Sequence, residues 1–584
     1  MSNLKVLHGK PVSPGFAQGR AVIPGAAPCE ITETELGPDQ IEAELECFHA
    51  ALESSRREIE QLQARVESEL GAAAADIFTA HLLFLKDCQF IDRIEGLVKT
   101  ERKNVEFAIQ TTIRDIADRF SEAGDPYLRE RAADALDLQR RLIRHLSHAD
   151  KKPLSQLPPN SILVARELLP SDLIEFEPQN LAGIVSEIGG ETGHAAILAR
   201  AFGVPAVTGI GNATQAITPD TLLLVNGQTG EVILEPDRPQ LEASRAEKAR
   251  YDATTQEVID AESRKCITLD GVRVQLFANV GRPFEVQQVH EHHLDGVGLF
   301  RTEYLFLGQQ APPSFERQYE IYCDTAQRLQ GKPLVVRTLD LGGDKWPAFL
   351  KPRFEANPNL GVRGLRFSLL ASQDLFRTQV RAALCASREH DIRIMFPMVI
   401  GRADLKEAFS AVREVARAQE IRQIPPLGAL IETPSAVFAI EEILADCDFV
   451  SIGTNDLTQF ILAVDRNALA LIDDYTVLHP SVLRAVNRVL DAADAAGKAV
   501  TICGEAAGEA GVAGLLVGLG ARSLSMSPAS AARVRYAIRA SSLPDLESLA
   551  RAALNSDSAK AVSELVAGWL DKALPELGGG AITV

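Results

Sequence analysis

The period of the hydrophobic positions changes several times along this chain, and each change marks a different kind of element. Residues Leu4 to Ile23 alternate in a strand-like way around the turn formers Pro11, Ser13, Pro14 and Gly15. From about Gly37 to His148 the period becomes helical with few breakers. Its pieces, Ile41–Glu69, Ala72–Leu97, Asn104–Ala123 and Pro126–Leu146, predict an all-helical insert of two antiparallel hairpins. Pro153 to Pro236 returns to alternating strands and helices, with strand candidates at Ser161–Ala165, Gly183–Ser186, Ala206–Val207, Leu222–Val225 and Glu231–Leu234. A charged helix over about Gln240–Lys265 follows; it shows no docking stripe and reads as a connector between rigid bodies. From Ile267 onward a strand-then-helix rhythm sets in. Its strand candidates are Val272–Ala278, Gly296–Phe300, Leu334–Asp340, Ile392–Phe396, Pro426–Ile431, Phe449–Ile452, Ala499–Ile502 and Ser523–Met526. This predicts a (β/α)8 barrel of the TIM type, in which catalytic groups sit at the C-terminal strand ends. The fold class is therefore α/β and multidomain.

Composition narrows the picture. At 584 residues the chain exceeds what one core can organise, and about three or four domains are expected. No run of eighteen or more apolar residues predicts a membrane span, and Met1-Ser2-Asn3-Leu4-Lys5 has none of the features of a signal peptide, so a cytoplasmic enzyme is expected. A formal charge of −19 excludes nonspecific nucleic-acid binding but permits a basic protein partner. The cysteines, Cys29, Cys47, Cys88, Cys266, Cys323, Cys385, Cys447 and Cys503, contain no CxxC pair, which predicts reduced thiols.

Candidate chemistry concentrates in two places. His194 follows the apolar stretch Ala182 to Ile188 and the pair Gly189-Gly190, and it opens a small-residue helical pattern. An imidazole at a helix N-terminus is poorly placed to hold positive charge and well placed to accept a phosphoryl group, whose negative charge the helix end stabilises. The barrel strand ends supply the second group. Arg301, Arg337, Lys345, Arg363, Glu432, Asp456 and Arg466 would converge on one mouth, along with Asn455 and Cys503. Guanidinium forks match phosphate and carboxylate oxygens, and two carboxylates suit Mg2+, which retains waters and takes substrate oxygens. The implied substrate is small and polyanionic.

The runs GGETGHAAILAR, LFRTEYLF, VRTLDLGGDK, NPNLGVR, IETPSA, SIGTNDLTQFILAVDR and CGEAAG closely resemble those of the phosphoenolpyruvate-utilising enzymes. The order of segments resembles Enzyme I of the bacterial sugar phosphotransferase system. The resemblance covers essentially the whole chain. It implies a swivelling phosphohistidine α/β domain (1–36 and 149–236) with a helical carrier-binding subdomain inserted at 37–148. A helical linker (237–265) and a phosphoenolpyruvate-binding, dimerising (β/α)8 barrel (266–584) complete the implied organisation. His194 would take the phosphoryl group from phosphoenolpyruvate and pass it to a histidine-containing phosphocarrier protein. Arg301, Arg337, Asn455 and Arg466 would bind phosphate and carboxylate, with Arg363 and Lys345 as supporting cations. Glu432 and Asp456 would hold Mg2+, and Cys503 would protonate carbon 3 of the enolate to give pyruvate. A homodimer is implied by resemblance alone.

Some positions depart from the family pattern. Where relatives commonly carry an arginine and a serine beside the histidine, this chain has Glu191 and Gly193; upstream it has Leu168-Leu169-Pro170-Ser171-Asp172-Leu173. The strongly acidic first helix, with Glu42, Glu44, Glu53, Glu58, Glu60, Glu67 and Glu69, is expected to form the carrier's docking face. The cluster His290-Glu291-His292-His293 reads as a solvated helix end opposite the mouth rather than a metal site. A dikinase or phosphoenolpyruvate synthase would need a nucleotide-grasping domain that about 150 mostly helical residues before the His194 block do not supply.

Overall fold

The computed structural model describes residues 5–23, 32–70, 82, 84–85, 88–122, 135, 138–139, 141–146, 157–166, 180–188, 199, 203–307, 309, 311–342, 346–347, 349–350, 355, 357–464 and 476–573. They fall into two compact units, Met1–Tyr251 and Asp252–Val584. His194, Glu191, Gly193, Lys345, Arg466 and the segment Leu168 to Leu173 lie outside the described residues.

The first unit is built on a mixed sheet of β1 (Lys5–His8), β2 (Lys10–Ser13), β3 (Phe16–Val22), β4 (Ser161–Ala165), β5 (Leu181–Ser186), β6 (Ala206–Thr208), β7 (Leu222–Asn226) and β8 (Glu231–Leu234), in the order β1-β8-β7-β3-β4-β5-β6-β2. β3 through β6 pair in parallel, whereas the pairs β1–β8, β7–β8, β3–β7 and β2–β6 are antiparallel. Strand alternation gives the sheet two apolar faces. On β4, Ile162 and Val164 join a core with Ala17, Val185 and Val207, while Leu163 joins Leu181, Ile184 and Ala206 in another core. That second core is continuous with the helices Ile41–Leu70, Cys88–Thr100 and Val105–Glu122. On the first helix, Phe48, Ala51, Leu52, Ser55 and Ile59 form the buried stripe.

The acidic face of that helix differs from expectation. Glu58 is directed inward, where its carboxylate meets Arg141 at 2.6 Å and His145 at 2.8 Å and also pairs with Arg144. Arg141 is only 2% exposed. Burial alone would raise the Glu58 carboxyl, but the hydrogen bond with His145 and the charges of Arg141 and Arg144 outweigh it and hold it down at about 2. Glu44 likewise accepts from the backbone N–H of Val105 at 3.1 Å, capping a neighbouring helix. Glu42 and Glu60 remain exposed. Charge reversal at Glu58 would therefore break the fold's own clamp rather than report on docking.

In the second unit β9 (Gln275–Val280), β10 (Val297–Arg301), β11 (Leu334–Arg337), β12 (Ile392–Phe396), β13 (Leu427–Ile431), β14 (Phe449–Ile452), β15 (Ala499–Ile502) and β16 (Ser523–Met526) close a parallel barrel. The residues that point outward, such as Phe300, Val336, Ile394 and Ile431, pack under the helices; Leu299, Val335, Met395, Leu430 and Phe449 fill the interior with Cys503. Two strands are shorter than their apolar runs. Residues 272–274 instead pair back on residues 266–268, through the antiparallel bridge Ile267–Arg273 and Val274 N–H to the Cys266 carbonyl at 3.0 Å, so β9 starts at Gln275. Beyond Arg337, Leu339 N–H donates to the Gln379 side chain at 2.9 Å and Asp340 N–H to Glu303 at 3.0 Å, so side chains replace the ladder and β11 stops.

The charged helix Arg238–Glu262 is solvated over its first half, but Thr254, Val258 and Ala261 are buried at i, i+4 and i+7. A docking stripe therefore exists in its second half, where the sequence showed none. The cluster at His290 does close a helix, with Glu291 and His293 exposed, but two of its histidines are also tied into the fold. His290 Nε2 lies 2.8 Å from the Arg328 carbonyl, and His292 Nδ1 pairs with Glu262. The buried Arg535 donates to the carbonyls of Glu262, His292 and His293.

The Glu58 clamp has a measurable pH signature. Its folded-state pKa is depressed, so its stabilisation is complete above the ordinary value of 4.5 and is lost as pH falls towards about 2. Replacement by Gln removes the negative charge that Arg141, Arg144 and His145 share and is expected to cost about 2 kcal/mol at neutral pH. Calorimetric unfolding of the full chain should show the acid-side loss of stability diminished in Glu58→Gln relative to wild type.

Candidate active site

Arg301, Arg337, Glu432 and Cys503 sit at or one residue past the C-terminal ends of β10, β11, β13 and β15, in the inward-facing rows of Leu299, Val335 and Leu430. Asn455 and Asp456 lie in the first turn of the helix Thr454–Leu462, which follows β14. The barrel thus brings Arg301, Arg337, Arg363, Glu432, Asn455, Asp456 and Cys503 to one end.

Two guanidiniums are almost fully buried there, Arg337 at 5% and Arg363 at 2% exposure. Arg337 pairs with Glu303 at 3.0 Å and Asp340 at 3.3 Å, and lies 3.9 Å from Glu432. Arg363 grips two carboxylates at once: Nε and NH2 donate to Asp340, both at 3.0 Å, and NH1 and NH2 to Asp456 at 2.8 and 3.0 Å. Burial disfavours both charges, yet the surrounding carboxylates raise both guanidinium pKa values. Arg301 is half-buried and has no ion pair or hydrogen bond of its side chain among the described residues. Arg301 is thus the guanidinium at this mouth that no described carboxylate has claimed.

The charges do not balance. Glu303, Asp340, Glu432 and Asp456 surround Arg337 and Arg363, leaving two negative charges in excess if all are ionised. Glu432 absorbs part of this strain. Burial, the neighbouring Asp456 and then Asp340 push its carboxyl well above the usual range, against the pull of Arg337 and a hydrogen bond from Met398 N–H. A divalent cation at Glu432 and Asp456 would cancel the excess, so the donor set fits Mg2+. No group of three or more His, Cys, Asp or Glu among the described residues is arranged to hold a metal, and Mg2+ does not need one, because waters and substrate oxygens complete its shell.

Cys503 is 3% exposed, and its Sγ lies 3.5 Å from the Ile452 carbonyl. Burial first, and then the charge of Glu432, push the thiol up to about 12 against Arg337 and Arg301. It therefore keeps its proton at neutral pH. Beside it, a Cβ on Gly504 would come 1.6 Å from the Thr454 hydroxyl and 2.9 Å from its backbone nitrogen, which explains the glycine. Asn455 Oδ1 accepts from Glu505 N–H at 3.4 Å, tying the ends of β14 and β15 together.

Several participants carried no role in the sequence reading. Asp340 and Glu303 stood inside recognised motifs, yet they fix both buried arginines. Gln379, on the helix Gln373–Ala386, holds the Leu339 backbone and donates to Thr302 and Tyr322. Asn279 and Ser525 belong to the same inward rows, and strand parity past Phe277 and Ser523 would have found them.

Comparison with known proteins matches this architecture segment by segment. The family descriptions "PEP-utilising enzyme, N-terminal", "PEP-utilising enzyme, mobile domain" and "PEP-utilising enzyme, PEP-binding domain" match residues 8–131, 157–230 and 255–543. These define the class as a phosphoenolpyruvate-utilising enzyme. A curated relative, "Phosphoenolpyruvate-protein phosphotransferase" of Listeria monocytogenes serovar 1/2a, is 35% identical over 567 residues, 96% of this chain and 99% of the relative. Relatives of the same name from Staphylococcus aureus strain MSSA476 (34% over 96% and 99%) and Priestia megaterium (36% over 92% and 94%) are equally extensive. The chain belongs to the phosphoenolpyruvate-protein phosphotransferase family. A solution structure of an Enzyme I protein is 33% identical and covers 42% of this chain and 99% of that one, at a TM-score of 0.38. Among the described residues no helix is long and apolar enough to cross a membrane.

Two tests follow from this geometry. Gly504→Ala is expected to destabilise the barrel by about 1–3 kcal/mol through overpacking against Thr454, read as a lowered unfolding midpoint. Brief treatment with iodoacetamide at pH 8 should modify the exposed Cys47 and leave Cys503 unlabelled by peptide mass spectrometry.

Proposed function

We propose that this chain transfers the phosphoryl group of phosphoenolpyruvate to its own His194 and then to a histidine-containing phosphocarrier protein, releasing pyruvate. This is the first step of a phosphoenolpyruvate-dependent sugar phosphotransferase system. Support comes from the family membership and, above all, from one observation: Arg301, Arg337, Arg363, Glu432, Asp456 and Cys503 gather at the mouth of a single barrel. Guanidiniums, paired carboxylates and a retained thiol proton are what binding, transferring and protonating this substrate require.

In this reading Arg301 meets the incoming phosphate or carboxylate, since the other two arginines hold carboxylates of their own. Arg337 and Asn455 complete the anion site, with Arg466 and Lys345 assigned to it by motif. Arg363 orients Asp456. Mg2+ held by Glu432 and Asp456 would neutralise charge on the phosphoryl and enolate oxygens. The neutral imidazole of His194 attacks phosphorus as the bridging P–O bond breaks, and the leaving group is the enolate of pyruvate. Cys503 then gives its proton to carbon 3.

The same reading gives the protein a cytoplasmic setting and a homodimer joined through the barrel. It assigns the phosphohistidine domain to 1–36 and 149–236, the carrier-binding subdomain to 37–148 and the linker to 237–265. Among the described residues of this helix the exposed Glu42, Glu46, Glu53 and Glu60, rather than Glu58, are the acids offered to the carrier.

Incubation with labelled phosphoenolpyruvate and Mg2+ should give pyruvate and an acid-labile, base-stable phosphoryl group on the protein. Labelling should vanish in His194→Ala, and ATP in place of phosphoenolpyruvate should leave the protein unlabelled. Undiminished labelling in His194→Ala would overturn the assignment.

A further inference from the structure

We propose that Asn279 is a positioning residue for the proton transfer made by Cys503, its amide fixing where the thiol-bearing end of β15 stands in the barrel mouth. This rests on the proposed role of Cys503 as the acid at carbon 3.

The two flanks of β15 are supported unequally. Towards β14 four register pairs run from Phe449↔Ala499 to Ile452↔Ile502, and Cys503 N–H continues the ladder to the Ile452 carbonyl at 3.0 Å. Towards β16 a single pair, Ile502↔Leu524, joins the strands. Ladder bonding on that side does not reach Cys503, and a side chain takes its place. Asn279 Nδ2, one residue beyond the last β9–β16 pair, donates to the Cys503 carbonyl at 3.0 Å and to the Ser525 carbonyl at 3.2 Å.

The orientation of that amide is itself fixed. Ser525 Oγ donates to Asn279 Oδ1 at 2.7 Å, so the oxygen end is taken and the NH2 end faces β15. The Ser525 side chain has room because residue 298 is glycine; a Cβ there would lie 2.6 Å from its hydroxyl. Strands β9, β16 and β15 are thereby tied together at the level of the acid.

The chemistry makes this placement matter. During the transfer the Sγ–H bond breaks and a C3–H bond forms. The enolate electron pair goes to carbon 3 while C2–O becomes the ketone, and the thiolate left behind takes its next proton from water. At rest the thiol lies by the Ile452 carbonyl, and with its backbone held on both flanks its remaining freedom is side-chain rotation. Misplacing an acid by an ångström costs about a hundredfold in rate.

The test is a single-turnover experiment with phosphorus-labelled phosphoenolpyruvate and Mg2+, following protein labelling and pyruvate separately. It compares wild type with Asn279→Ala, Asn279→Asp, Ser525→Ala and Cys503→Ala. Asn279→Asp keeps the size and the acceptor for Ser525 but loses the donor, so it remains informative if the alanine variant folds poorly. Both Asn279 variants should show a labelling burst within about twofold of wild type, pyruvate formed at least about tenfold more slowly, and a larger solvent deuterium isotope effect on pyruvate. Ser525→Ala should fall between. Wild-type pyruvate rates in the Asn279 variants, or a parallel loss of labelling and pyruvate, would overturn the positioning role. Wild-type pyruvate formation by Cys503→Ala would instead remove the acid assignment on which the proposal stands.

Discussion

The barrel mouth depends on one buried contact, the guanidinium of Arg363 held between Asp340 and Asp456. Asp340 follows β11 and Asp456 follows β14, so a single side chain pins two loops from well-separated parts of the barrel. Neither charge would survive burial alone, because removing an ion from water costs more than an imperfect partner returns. Four donor contacts with planar geometry make the arrangement tolerable. Arg337 repeats the device with Glu303 and Asp340, so Asp340 serves both arginines. The remaining imbalance falls on Glu432, whose carboxyl is pushed well above the usual range.

Much of this was legible in the sequence, for identifiable reasons. The barrel strands Ile392–Phe396, Phe449–Ile452, Ala499–Ile502 and Ser523–Met526 have the bounds their apolar runs predict, because each run starts directly after a charged residue, Asp391, Asp448, Lys498 and Arg522. Leu334–Asp340 misled because Leu339 is apolar and buried while its N–H serves a side chain, and hydrophobicity carries no record of where an N–H goes. Site residues on strand ends could be read from motif and position. Their partners could not: that Glu303 meets Arg337 depends on the shear of neighbouring strands, which a one-dimensional pattern does not contain.

The charge of surface-looking acids was the other blind spot. The glutamates of one helix read together as a docking face, yet Glu58 and Glu44 are structural, the first against Arg141 and the second at the start of the helix Val105–Glu122. Spacing separates them poorly from Glu42 and Glu60, since the partners lie some sixty and eighty residues further along the chain. The second half of the helix Arg238–Glu262 was missed for a related reason: its stripe of Thr254, Val258 and Ala261 is built from small side chains that register weakly as hydrophobic.

The packed interior below Cys503 has a consequence for turnover. Leu299, Val335, Met395, Leu430 and Phe449 pack the barrel interior around Cys503, so water reaches the sulfur from the mouth. In the proposed reaction a thiol that has given up its proton is recharged through the opening that the product is vacating. Departure of pyruvate and restoration of the acid then share one doorway and occur in that order, and an enzyme crowded with product would be slow to rearm.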